Sequence, residues 1–444
     1  MRKILVSLAL VSGAACASTP GPREDAPHIA LLDSAAPVDR QAAALCSRFA
    51  TPDRAAELLA PSFLSQVPAA QVAAIFGDYR QRAGRCVDVQ RTEGEESSAR
   101  YQLRFEKGFG VSMAVSVDPR EPHQVVGLWL GNPVQAYADL QAIVAEMRAL
   151  PGTVSFLVAD VDATGLHPRA SLAPKRQLAI GSAFKLWVLA ELVRSIEAGE
   201  HRWDEVAFLT AGGKSLPSGM LQDWPEGSPL TVQTLATLMI SRSDNTATDN
   251  LIRLLGRERI EATMRAVGHA EPARNEPFLT TRELFLLKDE AAGAGFLARE
   301  VDGRREYLDD IVAQLDPKEA PTLVRPTRID AIEWFASAHD LANVLDWLRK
   351  KGEQDAVVRQ VLSVNAGIDA ARTGRTWVGF KGGSEPGVLN LSFVLEDPRG
   401  VQVVVATWND PQANLEENRL IGLVERALVL LAPEKSTPSA RAQR

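Results

Sequence analysis

Residues 180–193 read IGSAFKLWVLAELV, and this stretch decides the fold of the larger part of the chain. Its apolar side chains recur at three- and four-residue spacing, which predicts a buried helix. Ser182 opens that helix and Lys185 follows three residues later, so their side chains share a helix face. A serine becomes a nucleophile when a neighbouring base takes its proton, and burial among apolar residues lowers the pKa of a lysine toward that role. The alternative is structural, because serine is also a common helix N-cap.

Two further motifs follow Ser182. Residues 243–245 read Ser-Asp-Asn within a helical pattern, which indicates either an Asx-type turn or a hydroxyl and an amide presented to a substrate. Residues 381–384 read Lys-Gly-Gly-Ser after an apolar run, and strand glycines indicate a bulge or the close approach of a backbone or ligand. Each motif taken alone is more often structural than functional.

Together and in this order, Ser-x-x-Lys, Ser-Asp-Asn and Lys-x-Gly resemble the signatures of the penicillin-recognising serine hydrolases, which include class A β-lactamases and D-alanyl-D-alanine peptidases. Residues 238–249, LMISRSDNTATD, look most like class A. The resemblance covers residues 137–433 and implies an α+β fold, an antiparallel sheet with a helical lobe. It also implies a small-molecule substrate, namely a β-lactam, an ester or a peptidoglycan-like acyl group, and no cofactor.

The resemblance implies a role for each residue of the first two motifs. Ser182 is expected to be acylated, with Lys185 as its base or proton relay. Ser243 is expected to pass a proton to the leaving nitrogen, and Asn245 to contact the substrate.

The third motif is expected to complete the site. Lys381 would bind the substrate carboxylate, and Gly383 and Ser384 would contact the substrate. The backbone N–H groups of Ser182 and Ser384 would form the oxyanion hole, in which one donor is worth roughly 2.7–4 kcal/mol. The chain has Gly382 where the family has threonine or serine, so a hydroxyl that helps to hold the carboxylate is missing.

Class A enzymes activate the deacylating water with a glutamate in a Glu-x-x-Leu-Asn loop. Residues 276–280 read EPFLT in the corresponding place, with Thr280 instead of asparagine. Glu276 is therefore the candidate base, and a solvated loop carboxylate is the alternative. Ser243 and Lys381 are 138 residues apart, longer than in class A. The excess lies in residues 288–328, for which we expect a surface excursion rather than a lid over the site.

Residues 39–133 predict a separate small α+β domain. Two helical patterns are followed by four short β-rich runs separated by turns. Such a domain before a class A-like domain resembles the atypical serine hydrolases of clavulanic acid biosynthesis, whose N-terminal domain is similar to steroid isomerases. Residues 381–387, KGGSEPG, also look like that branch. The default interpretation of this domain is a binding or packing module.

The first residues predict export. Residues 1–17, MRKILVSLALVSGAACA, combine two basic residues with a short apolar stretch, as secretory signals do. Two endings remain open: ordinary cleavage at residues 15–17, or a loose lipobox at residues 13–16 that would make Cys16 a lipid anchor. The protein is then periplasmic or an envelope-anchored lipoprotein, with a linker over residues 18–38 and a frayed tail over 434–444.

Composition excludes several other classes. Acidic residues outnumber basic ones, 56 against 49, which argues against a nucleic-acid surface. Six scattered histidines and three cysteines without a Cys-x-x-Cys pair argue against a zinc site. Export allows Cys46 and Cys86 to form a disulfide, and two buried free thiols are the alternative.

Overall fold

The computed structural model describes residues 36–135 and 139–433. The predicted signal segment, most of the predicted linker and the predicted tail lie outside these residues. The chain divides into two compact units, Met1–Pro133 and Val134–Arg444. In the two described ranges, no helix has the length and apolar character needed to cross a membrane.

The first unit consists of helices followed by a sheet. Its helices are α1 (Pro37–Arg48), α2 (Pro61–Leu64) and α3 (Ala69–Ala83), and its strands are β1 (Cys86–Gly94), β2 (Ser98–Phe105), β3 (Phe109–Val117) and β4 (Val125–Leu130). Neighbours in this strand order pair antiparallel. Side chains of β2 alternate between exposed and buried, because a period of two places every second residue on the helix-covered face. The rings of Phe49 and Phe76 stack at 4.4 Å inside that core.

A disulfide joins Cys46 of α1 to Cys86 of β1, whose Cα atoms lie 5.3 Å apart. The bond spans 40 residues, and the chain-entropy model gives a loop of that length about 4 kcal/mol of stabilisation. We expect reduction to lower the urea midpoint of the first unit in the full chain, whereas a Cys46→Ser/Cys86→Ser variant should not respond to reductant. Alkylation of both thiols in unreduced, folded protein would contradict the pairing.

The second unit is built on a five-stranded antiparallel sheet. The strands of this unit are β5 (Val134–Gln135), β6 (Thr153–Asp162), β7 (Gly165–Leu172), β8 (Leu178–Ala179), β9 (Val206–Phe208), β10 (Pro229–Thr231), β11 (Phe335–Ala336), β12 (Trp377–Glu385), β13 (Val388–Asp397) and β14 (Gly400–Asn409). The five-stranded sheet has the order β12-β13-β14-β6-β7. Sheet strands therefore come from both ends of the unit, and most helices come from the sequence between them. This arrangement matches the antiparallel sheet with an inserted helical lobe that the sequence predicts.

Helices cover both faces of this sheet. They are α4 (Leu140–Arg148), α5 (Lys185–Glu197), α6 (Val232–Ser241), α7 (Asn245–Leu255), α8 (Arg257–Ala266), α9 (Thr281–Leu287), α10 (Glu290–Leu297), α11 (Val301–Asp310), α12 (Ala338–Gly352), α13 (Ala356–Ser363) and α14 (Glu417–Leu430). Helices α4 and α14 share one apolar core with the sheet. The lobe, with α5 at its centre, shares the other.

Helix α5 is the buried helix that residues 180–193 predict. Every side chain from residue 185 to residue 193 is buried. Each buried leucine or valine contributes roughly 1.5–3 kcal/mol relative to an exposed one, so this apolar run fixes the helix in the lobe. The residues just before it are held in place as a consequence.

Residues 288–328 are only in part the expected surface excursion. Most of their side chains are exposed or half-buried, but α10 and α11 lie in this segment, and Phe296, Leu308 and Val312 belong to the core of the lobe. The charged and glycine-containing sequence hid these apolar anchors, which are too widely spaced to give a clear helical pattern. We call residues 288–328 the insertion.

Candidate active site

Ser182 lies on a single 3₁₀ turn, Gly181–Phe184, that leads directly into α5. Gly181 adopts a positive φ of 48°, a conformation that glycine reaches without steric cost. Ser182 is half-buried and its hydroxyl makes no hydrogen bond with the residues that the structure describes. The hydroxyl is therefore not engaged by any other group of the described ranges.

Strand β12 passes tightly against the turn that carries Ser182. A Cβ atom added to Gly383 would lie 2.5 Å from the backbone nitrogen of Ser182, and one added to Gly181 would lie 3.1 Å from that of Ser384. Only glycine at position 383 allows this approach without displacement of a backbone. The geometry accounts for the second glycine of the motif and brings the Ser182 and Ser384 segments together.

Lys185 begins α5 and is completely buried. Its Nζ donates to Asn245 Oδ1 and to the Ser243 carbonyl oxygen, each at 2.7 Å, and lies 3.1 Å from Ser243 Oγ. Burial, followed by the charge of nearby Lys381, lowers the pKa of Lys185 well below its usual value. A neutral amine at this position has two protons for the two short contacts and a lone pair left to accept a third proton.

Ser243 is held in a conformation that few side chains adopt, with a φ of 56°. The next residue anchors it: Asp244 is buried, caps α7 through the Ala247 N–H at 2.8 Å, and accepts the Met220 N–H at 2.7 Å. Ser218 Oγ donates to the Ser243 carbonyl at 2.8 Å. These contacts aim the Ser243 hydroxyl at the two lysines.

Lys381 approaches Ser243 from the opposite side. It is buried on β12, and its Nζ donates to Ser243 Oγ at 3.1 Å and to the carbonyl of Gly382. Burial lowers the pKa of Lys381 to about 7. The Ser243 hydroxyl therefore bridges two buried amines, each of which loses a proton more easily than an exposed lysine.

The structure also explains why position 382 is a glycine. A Cβ atom there would lie 3.0 Å from the ring of Phe380 and 3.2 Å from the Asn390 carbonyl. The aromatic ring thus occupies space that a threonine side chain would need. The hydroxyl that the family places here is absent, and the surrounding packing matches its absence.

Glu276 is not joined to these residues by any hydrogen bond. Its carboxylate pairs instead with Arg265 of α8, and the Glu276 side chain is only 15% exposed. The structure thus brings Lys185, Ser243, Asn245 and Lys381 together by hydrogen bonds, whereas the hydrogen bond of the Glu276 carboxylate is to Arg265.

Asp249 has no role in the expectations from sequence. The structure places it near Lys185, whose pKa its charge affects. Its buried carboxylate accepts the backbone N–H groups of Thr281 and Arg282 and the Thr281 hydroxyl at 2.7–2.9 Å. Burial raises the pKa of Asp249 to about 6. Asp249 follows Asn245 by four residues on α7, and this spacing is the signal that places both on one helix face.

Among residues 36–135 and 139–433, no group of three acidic, histidine or cysteine side chains is arranged to hold a metal ion. The cluster described above offers a hydroxyl nucleophile, two buried amines and backbone N–H groups. Such a set supports acyl transfer, in which a base activates the serine and N–H donors stabilise the oxyanion.

A comparison with known protein families agrees with this chemistry. Residues 135–429 match the model of the β-lactamase enzyme family. A β-lactamase from Sphaerobacter thermophilus DSM 20745 is 25% identical, with a TM-score of 0.46 over 66% of this chain and 95% of that one. A β-lactamase from Xanthomonas campestris pv. campestris is 16% identical, with a TM-score of 0.46 over 66% and 95% of the two chains. No curated protein sequence matches the chain.

A variant of the class A β-lactamase of the last common ancestor of Gram-negative bacteria is 19% identical, with a TM-score of 0.46 over 66% of this chain and 97% of that one. The family match carries the assignment, because it covers well over half of the chain. This protein belongs to the β-lactamase enzyme family.

Proposed function

We propose that this protein is an exported serine hydrolase that forms an acyl-enzyme on Ser182, with β-lactams as its substrate class. The observation that carries the proposal is the Ser243 hydroxyl, which lies 3.1 Å from both Lys185 Nζ and Lys381 Nζ. This arrangement supplies a route for a proton from the nucleophile to a leaving nitrogen. Acylation of a cyclic amide needs such a route, because the nitrogen must be protonated as the ring opens.

Acylation then proceeds in three proton transfers. Neutral Lys185 accepts the Ser182 proton as Oγ attacks the carbonyl carbon, and the N–H groups of Ser182 and Ser384 stabilise the oxyanion. As the intermediate collapses, the C–N bond breaks and Ser243 donates its proton to the leaving nitrogen. Lys185 returns a proton to Ser243, so that no net proton is gained or lost. Charged Lys381 attracts the substrate carboxylate.

A second candidate function is an esterase or peptidase-like enzyme with little lactamase turnover, or a sensor that acylates and stalls. The pairing of Glu276 with Arg265 favours it. Water activation by Glu276 requires a carboxylate that is free to accept a proton from water, and here the carboxylate is engaged by the Arg265 guanidinium. Acylation and deacylation therefore need separate measurement.

Intact-mass analysis after mixing with a penicillin, a chromogenic cephalosporin and an activated ester separates these functions. A transient adduct accompanied by turnover of the lactams supports a β-lactamase. A persistent lactam adduct with ester turnover supports the second candidate. The absence of an adduct with every probe would contradict both.

Glu276→Gln is expected to leave the lifetime of the lactam adduct unchanged within about twofold, because Glu276 contacts Arg265 rather than Lys185 or Ser243. The measurement is the decay of adduct mass after excess lactam is removed, with Glu271→Gln in the same segment as a matched surface control. A Glu276→Gln adduct that persists more than tenfold longer would show that Glu276 activates the water after all.

Acylation should depend on pH in a substrate-specific way. Lys185 must be neutral, so kcat/KM falls for every substrate as pH drops through its lowered pKa. Lys381 attracts a carboxylate only when charged, and its pKa is about 7. The ratio of kcat/KM for a carboxylate-bearing lactam to that for a neutral ester should therefore fall roughly fivefold between pH 7 and pH 8.

The pH profiles of the two substrates provide the test, with Lys381→Met as the reference. In that variant the ratio should be independent of pH, because the titrating amine is gone. A ratio that stays constant in the wild-type protein would contradict the role of Lys381 in carboxylate binding.

For the first unit we propose a steroid-isomerase-like architecture acting as a binding or packing module. The support is a four-strand antiparallel order that follows α1 and α3 in sequence and shares one apolar core with them. Polar contacts also join its elements: Tyr101 Oη of β2 donates to Asp39 of α1 at 2.7 Å, and Arg91 of β1 pairs with Asp39. These contacts support a packing role for the helix and the sheet.

A further inference from the structure

The insertion meets strand β12 through a buried group of charged side chains. Lys288, Glu333 and Glu385 form what we call the Lys288 cluster, with side chains 0%, 0% and 6% exposed. Lys288 Nζ donates to Glu385 at 2.7 Å, to the Thr327 carbonyl at 3.0 Å and to Glu333 at 3.4 Å. None of these residues has a role in the proton transfers described above.

The three charged side chains of the Lys288 cluster interact with one another electrostatically. Burial raises the pKa of Glu385 well above its usual value, and the charge of Glu333 acts in the same direction. Lys288 Nζ lies within 3.4 Å of a carboxylate oxygen of each acidic residue, so one ammonium group pairs with both side chains. Removal of one partner from such a buried set is strongly destabilising, because an uncompensated charge remains.

The backbone segments that carry the two proposed oxyanion donors, Ser182 and Ser384, both connect to the Lys288 cluster. Glu385 directly follows Ser384 on β12. Glu333 directly precedes Trp334, whose ring stacks on Phe184 at 3.6 Å, next to the nucleophile turn. The Trp334 carbonyl also accepts the Ile180 N–H at 3.0 Å.

Both ends of the insertion lie against the Lys288 cluster or the turn that follows β12. Lys288 is its first residue, and Thr327, whose carbonyl Lys288 binds, is near its last. Pro326 lies so close to the β12–β13 turn that a Cβ atom on Gly387 would be 2.6 Å from the proline ring. The insertion thus contacts the end of β12 through both an ion pair and a close van der Waals approach.

We propose that the insertion fixes the position of the Ser384 N–H relative to Ser182, and that Lys288 and Glu385 are positioning residues for acylation. The inference rests on the proposed acyl transfer at Ser182. Neither residue contacts the substrate in this account, so their loss should slow the chemical step and leave binding almost unchanged. A misplacement of about 1 Å can cost 10²-fold in rate.

The test is a single-turnover acylation experiment on the full chain with a penicillin, which separates the acylation rate constant from the apparent binding constant. Lys288→Met and Glu385→Ala should each lower the rate constant roughly 10- to 100-fold, with less than threefold change in binding. Glu385→Gln, which keeps the side-chain length and the hydrogen bonds, should recover most of the loss in Glu385→Ala. The double variant Lys288→Met/Glu385→Ala should be no slower than the slower single variant.

Arg349→Met is the matched control, because it removes the cation of another buried ion pair, with Asp346 at 2.9 Å. It should acylate at the wild-type rate. Folding of every variant is checked by thermal unfolding. Wild-type acylation rates in folded Lys288→Met, or no difference between Glu385→Ala and Glu385→Gln, would overturn the positioning role alone. A wild-type protein that forms no adduct would instead overturn the proposed function itself.

Discussion

Replacement of Lys185 by methionine is expected to slow acylation of Ser182 by about 10³- to 10⁴-fold, near the upper end of what a positioned base contributes. Methionine fills the buried space but cannot accept the serine proton. It also leaves the Ser243 carbonyl and Asn245 Oδ1 without the donor they share, so some loss of stability accompanies the loss of rate. The measurement is the single-turnover rate of adduct formation by intact mass.

Lys350→Met is the control for this prediction. Lys350 is half-exposed on α12 and pairs only with Asp346 among the described residues, so its loss should change the acylation rate less than twofold. If folded Lys185→Met acylated within tenfold of the wild-type rate, another group would have to be the base.

Gly383→Ala is expected to lower the acylation rate by about 10²- to 10³-fold, the effect of losing one oxyanion donor. The added methyl group would lie 2.5 Å from the Ser182 nitrogen and closer still to the Ile180 carbonyl. Backbone atoms cannot move aside as a flexible side chain does, so β12 must shift away from the nucleophile turn. The affinity for substrate should fall by a smaller factor than the acylation rate, because the oxyanion forms only in the reaction.

Gly303→Ala on α11 serves as the matched glycine control. An added methyl group there would lie 3.5 Å or more from the Arg299 side chain, an ordinary contact. This variant should keep full activity and equal or higher stability, since alanine favours a helix more than glycine does. Equal acylation rates in Gly383→Ala and the wild-type protein would contradict an oxyanion hole at this place.

The parts of the fold that depend on local sequence were predictable. The apolar spacing of residues 180–193 gives α5, and the β-rich runs of the first hundred residues give β1 to β4. The hairpin of β13 and β14 follows from two apolar runs around a turn. In each case, periodicity within a single segment was enough to identify the element.

Contacts between distant segments were less predictable. The motif order brought Ser182, Ser243 and Lys381 into one hypothesis, but the spacing alone does not show that one hydroxyl bridges two amines. Glu276 matched a loop pattern, yet its partner is Arg265, eleven residues earlier in the chain. The sequence alone did not indicate which charge a surface-loop carboxylate would meet.

The insertion shows the same limit more clearly. Its charges and glycines favoured a surface excursion, whereas Phe296 and Leu308 enter the core of the lobe. A lysine in so charged a stretch of sequence is expected to be solvated. In the structure Lys288 is fully buried and pairs with Glu385, which lies 97 residues away. Only the folded arrangement shows that this lysine belongs beside the strand of Ser384.

The central claim is that Ser182 becomes acylated. Wild-type protein and Ser182→Ala are each mixed with a penicillin and an activated ester, and the adduct is located by intact-mass analysis and peptide mapping. We expect one adduct per wild-type molecule, on the peptide that contains Ser182, and no adduct on the variant. Equal labelling of Ser182→Ala, or an adduct on a different peptide, would contradict it.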